Sequence, residues 1–191
     1  MLNPLQKQLI ISSLLGDGGL IATGGGKSFR FTVSHGSKQK DYLFWKHQTL
    51  KELVRTPPKL QQQTNAWKFN TLSSPELTEM HAQFYRGRQK IVPEIVRGIL
   101  GNPQALAIWY MDDGNLRREY GKIYGCMLNS HSFTHEDNEK LSRWLYQRYG
   151  VKSVLQKNHG KYRLYFGSES WKTFCTIITP YVVPALRYKL P

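Results

Sequence analysis

The chain repeats itself, and this constrains its fold more than any other feature. Asn3-Pro4 opens a segment that closes in Gly16-Asp17-Gly18, and Asn102-Pro103 opens a second that closes in Asp112-Asp113-Gly114. In each, Asn is a good helix N-cap and Pro a good first helical residue. The stretches between, ending LIISSLLGDGG and LAIWYMDDG, are apolar up to the aspartate. Asp17 and Asp113 lie 96 residues apart, and the same offset relates Ser34-His35 to Ser130-His131 and Asp41 to Asp137, with no gap expected between. FRFTVSH pairs with YGCMLNSH as β-rich segments, followed by the helical-looking KDYLFWKHQTLKELV and DNEKLSRWLYQRYG. AWKFNT and KYRLYFG are alternating strand candidates. The halves also end alike, RQKIVP at Arg88–Pro93 and RYKLP at Arg187–Pro191. Gly and Pro interrupt the pattern in RGILGNPQ, which predicts half-domains spanning residues 1–97 and 98–191.

Charge narrows the class of partner. The 191 residues carry 27 Lys+Arg against 13 Asp+Glu, a formal +14. An excess of that size implies a polyanionic partner, most often nucleic acid. It divides between the halves as +8 and +6, which suits a two-fold-like surface along a duplex better than a basic tail. No apolar run approaches the roughly 18 residues of a membrane span, so no membrane partner is expected. The opening MLNPLQKQ lacks the pattern of a secretory signal. Cys126 and Cys175 have no CxxC spacing and read as reduced core thiols.

The aspartates carry the chemistry. A carboxylate at a helix C-terminus faces the negative end of the helix dipole, at a cost of about 0.3–1 kcal/mol. One Asp-Gly is a common turn signal; a registered pair of them calls for another explanation. Hard carboxylate oxygens, completed by phosphate oxygens of a substrate, are what Mg²⁺ prefers, and two of them suit metal-assisted phosphodiester hydrolysis. Asp17 and Asp113 are the expected metal ligands. The preceding Gly16 and Asp112 complete the candidate metal set, with Asp112 as an outer carboxylate.

At these residues the chain resembles the LAGLIDADG homing endonucleases, in their single-chain, two-motif branch. LAIWYMDDG at Leu106–Gly114 matches the motif at Leu106, Ala107, Asp113 and Gly114, and IISSLLGDG at Ile10–Gly18 keeps mainly its Asp17-Gly18 end. Leu15 and Met111 stand where the consensus has an acidic sixth position. The resemblance implies an α+β fold of two pseudo-symmetric αββαββα half-domains forming a DNA-binding saddle of antiparallel sheets. It implies a monomer that cuts both strands of a long DNA target, leaving short 3′ overhangs. Mg²⁺ would be the cofactor, with Mn²⁺ able to replace it and Ca²⁺ supporting binding without cleavage. Lys90 and Lys189 match the family's paired active-site lysines, so the catalytic set is Asp17, Asp113, Lys90 and Lys189. The alternative is a maturase, the same fold binding intron RNA to assist group I splicing. An intron-encoded source implies a mitochondrion or chloroplast, or a bacterial cytoplasm.

A groove-reading sheet needs basic residues on one face and core residues on the other. The candidate strands offer Lys27, Arg30, Lys68, Lys122, Lys161 and Arg163, alternating with Phe29, Phe31, Phe69, Tyr162 and Leu164. Arg117 and Arg118, just past the second motif, complete the DNA-binding set. Gly24-Gly25-Gly26 reads as a turn between strands, since no P-loop spacing follows. His131, Thr134 and His135 lack the partners of a His-metal nuclease, and both His35 and His131 read as structural histidines.

Overall fold

The computed structural model describes residues 1–167 and 169–191 and divides into two compact units, Met1–Phe84 and Tyr85–Pro191. The glycine-proline interruption of the repeat, at residues 98–103, therefore lies inside the second unit.

Unit one begins with helix α1 (Pro4–Leu15). The Asn3 side chain accepts from the Gln6 backbone N–H at 2.9 Å, and the Gln6 side chain accepts from the Asn3 N–H at 3.0 Å. This reciprocal cap, with Pro4 in the first turn, is why the helix starts where it does. Strands β1 (Gly19–Thr23) and β2 (Ser28–Gly36) follow as a hairpin, turning through the three glycines, each at positive φ. Then come α2 (Lys40–Thr49), β3 (Lys59–Gln61), β4 (Ala66–Ser74) and α3 (Pro75–Phe84). The antiparallel sheet has the order β1-β2-β4-β3. Phe31, Val33 and Phe69 are buried with Tyr42 and Leu43 of α2 and Leu77, Met80 and Phe84 of α3.

Unit two opens with a short hairpin, β5 (Tyr85–Arg86) and β6 (Gln89–Lys90), and helix α4 (Ile95–Leu100). The second copy of the repeat then runs α5 (Pro103–Asp113), β7 (Gly114–Glu119), β8 (Lys122–Leu128), α6 (His135–Tyr149), β9 (Val154–Asn158), β10 (Lys161–Gly167) and α7 (Ser170–Ile178). Its sheet order, β7-β8-β10-β9, repeats that of unit one. Asn102 caps α5 by accepting from the Gln104 N–H at 2.9 Å, and Thr134 caps α6. Cys126 and Cys175 are buried free thiols, as expected. Among the described residues no helix is long and apolar enough to cross a membrane.

Each unit thus contains one αββαββα copy, preceded in unit two by the β5–β6 hairpin and α4, in the expected α+β architecture. Two helices do not behave as amphipathic surface helices. In α1, Leu9 to Leu15 are all fully buried, and in α5 Ala105 to Met111 are too. An apolar helix covered on every side is a rigid mount for what lies at its end.

Candidate functional site

In unit one, α1 stops at Leu15, and Asp17 stands two residues beyond it. The Gly16 and Gly18 N–H groups both donate to the Ser13 carbonyl, at 3.0 and 2.7 Å, closing the helix end. A side chain at Gly18 would begin 2.7 Å from both the Phe31 ring and the Ser13 carbonyl oxygen, so only glycine lets the chain turn this tightly into β1. Asp17 is left with its side chain 40% exposed. His35, from the far end of β2, brings its Nδ1 within 3.2 Å of the Asp17 carboxylate. Its imidazole is 1% exposed, with the Tyr42 ring 4.9 Å away. Beyond that ring lies Lys46, fully buried, its Nζ 4.6 Å from the Tyr42 ring centre.

In unit two the helix itself continues to the aspartate. Asp113 is the last residue of α5 and is half-buried, while Asp112 is buried at 7% exposure. A Cβ on Gly114 would fall 2.1 Å from the Tyr110 ring and 2.4 Å from its carbonyl oxygen, so the second motif needs its glycine for the same reason as the first. The helix end is compensated from the C-terminus. Lys189 Nζ donates to the Met111 carbonyl at 2.6 Å and the Asp112 carbonyl at 3.2 Å, and the Tyr110 hydroxyl donates to the Lys189 carbonyl at 2.7 Å. An ammonium on the last carbonyls of a helix offsets the partial negative charge there.

A polar chain leads from this helix end onto the sheet. The Asn129 backbone N–H and side-chain amide both donate to the Asp113 carbonyl, at 3.1 and 2.8 Å. The same amide donates to Asn115 Oδ1 at 2.8 Å, and Arg163 Nη1 reaches Asn129 Oδ1 at 3.4 Å. Arg163 also donates from Nε to Gln156 at 2.9 Å.

The gap-free offset of 96 does not survive the hairpins. Gly19 faces Thr32, whereas its counterpart Asn115 faces Met127, so the return strands are related by 95 residues. The second hairpin closes in fewer residues and carries a register shift at Arg117/Arg118. His35 therefore corresponds to Ser130, not His131. Ser130 is buried and donates to Asn138 Oδ1 at 2.5 Å, so it serves the start of α6. His131 lies past the end of β8, within 3.3 Å of Asn158. Burial, with Arg163 and Lys161 behind it, lowers its pKa. His35 and Asn129 are residues beside the candidate aspartates that sequence reasoning misses. The hairpin register that brings each back to its aspartate is the only signal, and a gap-free offset conceals it.

The basic residues fall in three settings. Arg30 and Lys68 are half-buried at positions of β2 and β4 that alternate with buried Phe31, Val33 and Phe69, and Arg163 alternates likewise with buried Leu164 and Phe166 of β10. Lys27, Lys122 and Lys161 are exposed at hairpin ends. Arg117 pairs with Glu119 at 2.6 Å, and Arg118 donates to the Leu190 carbonyl at 3.2 Å. Lys90 is half-buried in β6, opposite Tyr85. The neighbouring Gln89 ties this hairpin to the Ser132 carbonyl at 2.7 Å.

Residues 7–174 match the family model described as the LAGLIDADG DNA endonuclease family. The DNA endonuclease I-ChuI of Chlamydomonas applanata is 32% identical, covering 97% of this chain and 94% of its own. The cytochrome b mRNA maturase bI2 of Debaryomyces hansenii is also 32% identical, over 98% of this chain and 75% of its own. Among solved structures, the homing endonuclease I-WcaI bound to its DNA recognition sequence superposes with a TM-score of 0.86 at 22% identity, covering 100% of this chain and 88% of its own. I-DmoI in complex with DNA and Mn gives 0.58 at 20% identity, covering 91% and 96%.

Proposed function

Because the chain belongs to the LAGLIDADG DNA endonuclease family, we propose that it is a homing endonuclease that hydrolyses both strands of a long DNA target with a divalent metal. The observation that carries this reading is the duplicated unit: a helix whose last two turns are buried, a carboxylate at its end, a glycine that admits no side chain, and a sheet with a basic outer face.

The donors fit a hard divalent ion. Asp17 presents a solvent-reachable carboxylate beside an imidazole, and Asp113 presents another at a helix end whose backbone is held by Asn129 and Lys189. Asp17 and Asp113 would hold the metal; Asp112, buried at 7% exposure, and Gly16 would shape its surroundings. An ion held there would supply Lewis-acid polarisation of the phosphate and a more acidic coordinated water. Lys189 fixes the end of α5, and Lys90 and Lys189 are the cations proposed to offset developing phosphate charge. Arg30, Lys68 and Arg163 on the sheet faces, with Lys27, Lys122 and Lys161 at the hairpin ends and Arg117 and Arg118 beside the second motif, are proposed to hold the duplex. Half to two-thirds of protein–DNA hydrogen bonds go to the sugar-phosphate backbone, so most of these would position the duplex and fewer would read bases.

We further propose Mg²⁺ as the working metal, replaceable by Mn²⁺, a monomeric enzyme, short 3′ overhangs, and repeat halves meeting at residues 97/98. The maturase relative supports a second reading, in which the fold binds intron RNA, and favours an organellar intron as the source. The retained aspartates and lysines favour cutting, because RNA binding has no need of them. A cleavage-selection screen of a random plasmid library with the purified chain tests the proposal. Site-specific linear products in Mg²⁺ or Mn²⁺ but not Ca²⁺ are expected, and an uncut library in all three would refute it.

A further inference from the structure

The two aspartates differ in what stands beside them. At Asp113 the Asn129 carboxamide donates to the main-chain carbonyl of the aspartate and to Asn115 Oδ1. At Asp17 the group alongside is His35, an imidazole nitrogen. The residue in register with His35 in unit two, Ser130, is turned away to Asn138. Unit one thus places an imidazole nitrogen at the position where its repeat has a serine.

We propose that His35 Nδ1 joins the Asp17 carboxylate as a direct ligand of the divalent cation in the first half, making that half a mixed nitrogen–oxygen site. The inference rests on Asp17 being a metal ligand, as proposed above.

Three observations support chelation. The Nδ1 to Oδ2 separation of 3.2 Å exceeds the ~2.7–2.9 Å of a charge-assisted N–H···O⁻ bond. With metal–ligand bonds of about 2.1 Å, the same separation subtends about 100° at a shared ion, between the octahedral and tetrahedral angles. The imidazole is also fixed before any ion arrives: it is 1% exposed, β2 sets its backbone, and the Tyr42 ring stands 4.9 Å away. Asp17, 40% exposed, gives the ion its way in. Carboxylate and water suit Mg²⁺, whereas imidazole favours the later first-row metals. His35 therefore tunes the first half toward metals such as Co²⁺.

The test uses the full chain and the metals alone. Mn²⁺ bound to the wild type is expected to show ¹⁴N modulation from an imidazole in pulsed electron paramagnetic resonance. His35→Gln should lose that modulation while still binding Mn²⁺, and its Co²⁺-to-Mg²⁺ affinity ratio should fall about tenfold. Mn²⁺ that binds in an Asp17-dependent manner without ¹⁴N modulation would overturn the role of His35 and leave the endonuclease reading standing. Mn²⁺ binding indifferent to both Asp17→Asn and Asp113→Asn would overturn both. Should His35→Gln fail to fold, wild type labelled with ¹⁵N-histidine decides alongside Asp17→Asn. Modulation that ignores the label, or persists without the carboxylate, contradicts the proposal.

Discussion

Lys189 Nζ lies 2.6 Å from the carbonyl oxygen of Met111, two residues before the aspartate that ends α5. A residue near the C-terminus thereby holds the end of the helix on which Asp113 is mounted. Hydrogen bonds from a charged donor contribute about 1.5–3 kcal/mol, and the half-buried setting places this one toward the lower end. Lys189→Met is expected to lose about 1–2 kcal/mol in urea denaturation. It should slow single-turnover cleavage more than it weakens binding in Ca²⁺, and Lys90→Ala should do the same. Equal losses in rate and affinity would reassign both lysines to DNA anchoring.

The motif glycines should be intolerant for steric reasons. Gly114→Ala drives a methyl into the Tyr110 ring, and Gly18→Ala drives one against Phe31 and the Ser13 carbonyl. Each is expected to cost about 1–3 kcal/mol, Gly114→Ala the more. Gly98, in α4, faces open space: a methyl there would meet no atom within 4 Å. It should accept alanine with unchanged or slightly higher stability. Thermal melts of the three variants make the comparison.

Much of this is legible in the sequence because it depends on local chemistry. Asn-Pro marks both helix starts, uniform apolarity marks both buried helices, and Asp-Gly marks both helix exits. Alternation locates β2, β4 and β10. What escapes depends on pairing between strands. A hairpin one residue shorter is invisible to a gap-free offset, which matches His35 with His131 and makes it look structural, although it meets Asp17. Asn129 is hidden by the same slip. Lys46 escapes too, since a lysine in an otherwise ordinary helix gives no sign that it will be buried over an aromatic ring.

Acid should loosen the fold before carboxylates titrate. Burial is the first cause lowering the pKa of His47, His81 and His131 below 6.5. Between the lowered folded value and 6.5 the unfolded chain binds more protons, so stability rises with pH there. The contribution is complete above about pH 6.5 and is lost as pH falls. Melting temperature is expected to decline from pH 7 to pH 5, and His131→Gln should flatten part of that decline. A melting temperature that rises on acidification would contradict this.

DNA affinity should be strongly salt-dependent. If about 10 phosphates are neutralised, the log–log slope should be near −9. Lys161→Ala, at an exposed hairpin end, should reduce the slope by about 1 at every sequence if it meets phosphate. Arg163, braced by Gln156 and Asn129, is placed for directed contacts, and its removal should relax sequence preference as well as affinity. Filter binding across a salt series separates the two.

The most direct test of the central claim is cleavage of the selected target in Mg²⁺ by Asp17→Asn and Asp113→Asn, with binding measured in parallel in Ca²⁺. The account predicts that each variant loses double-strand cleavage while binding the target nearly as well as the wild type. Undiminished cutting by both variants would contradict it.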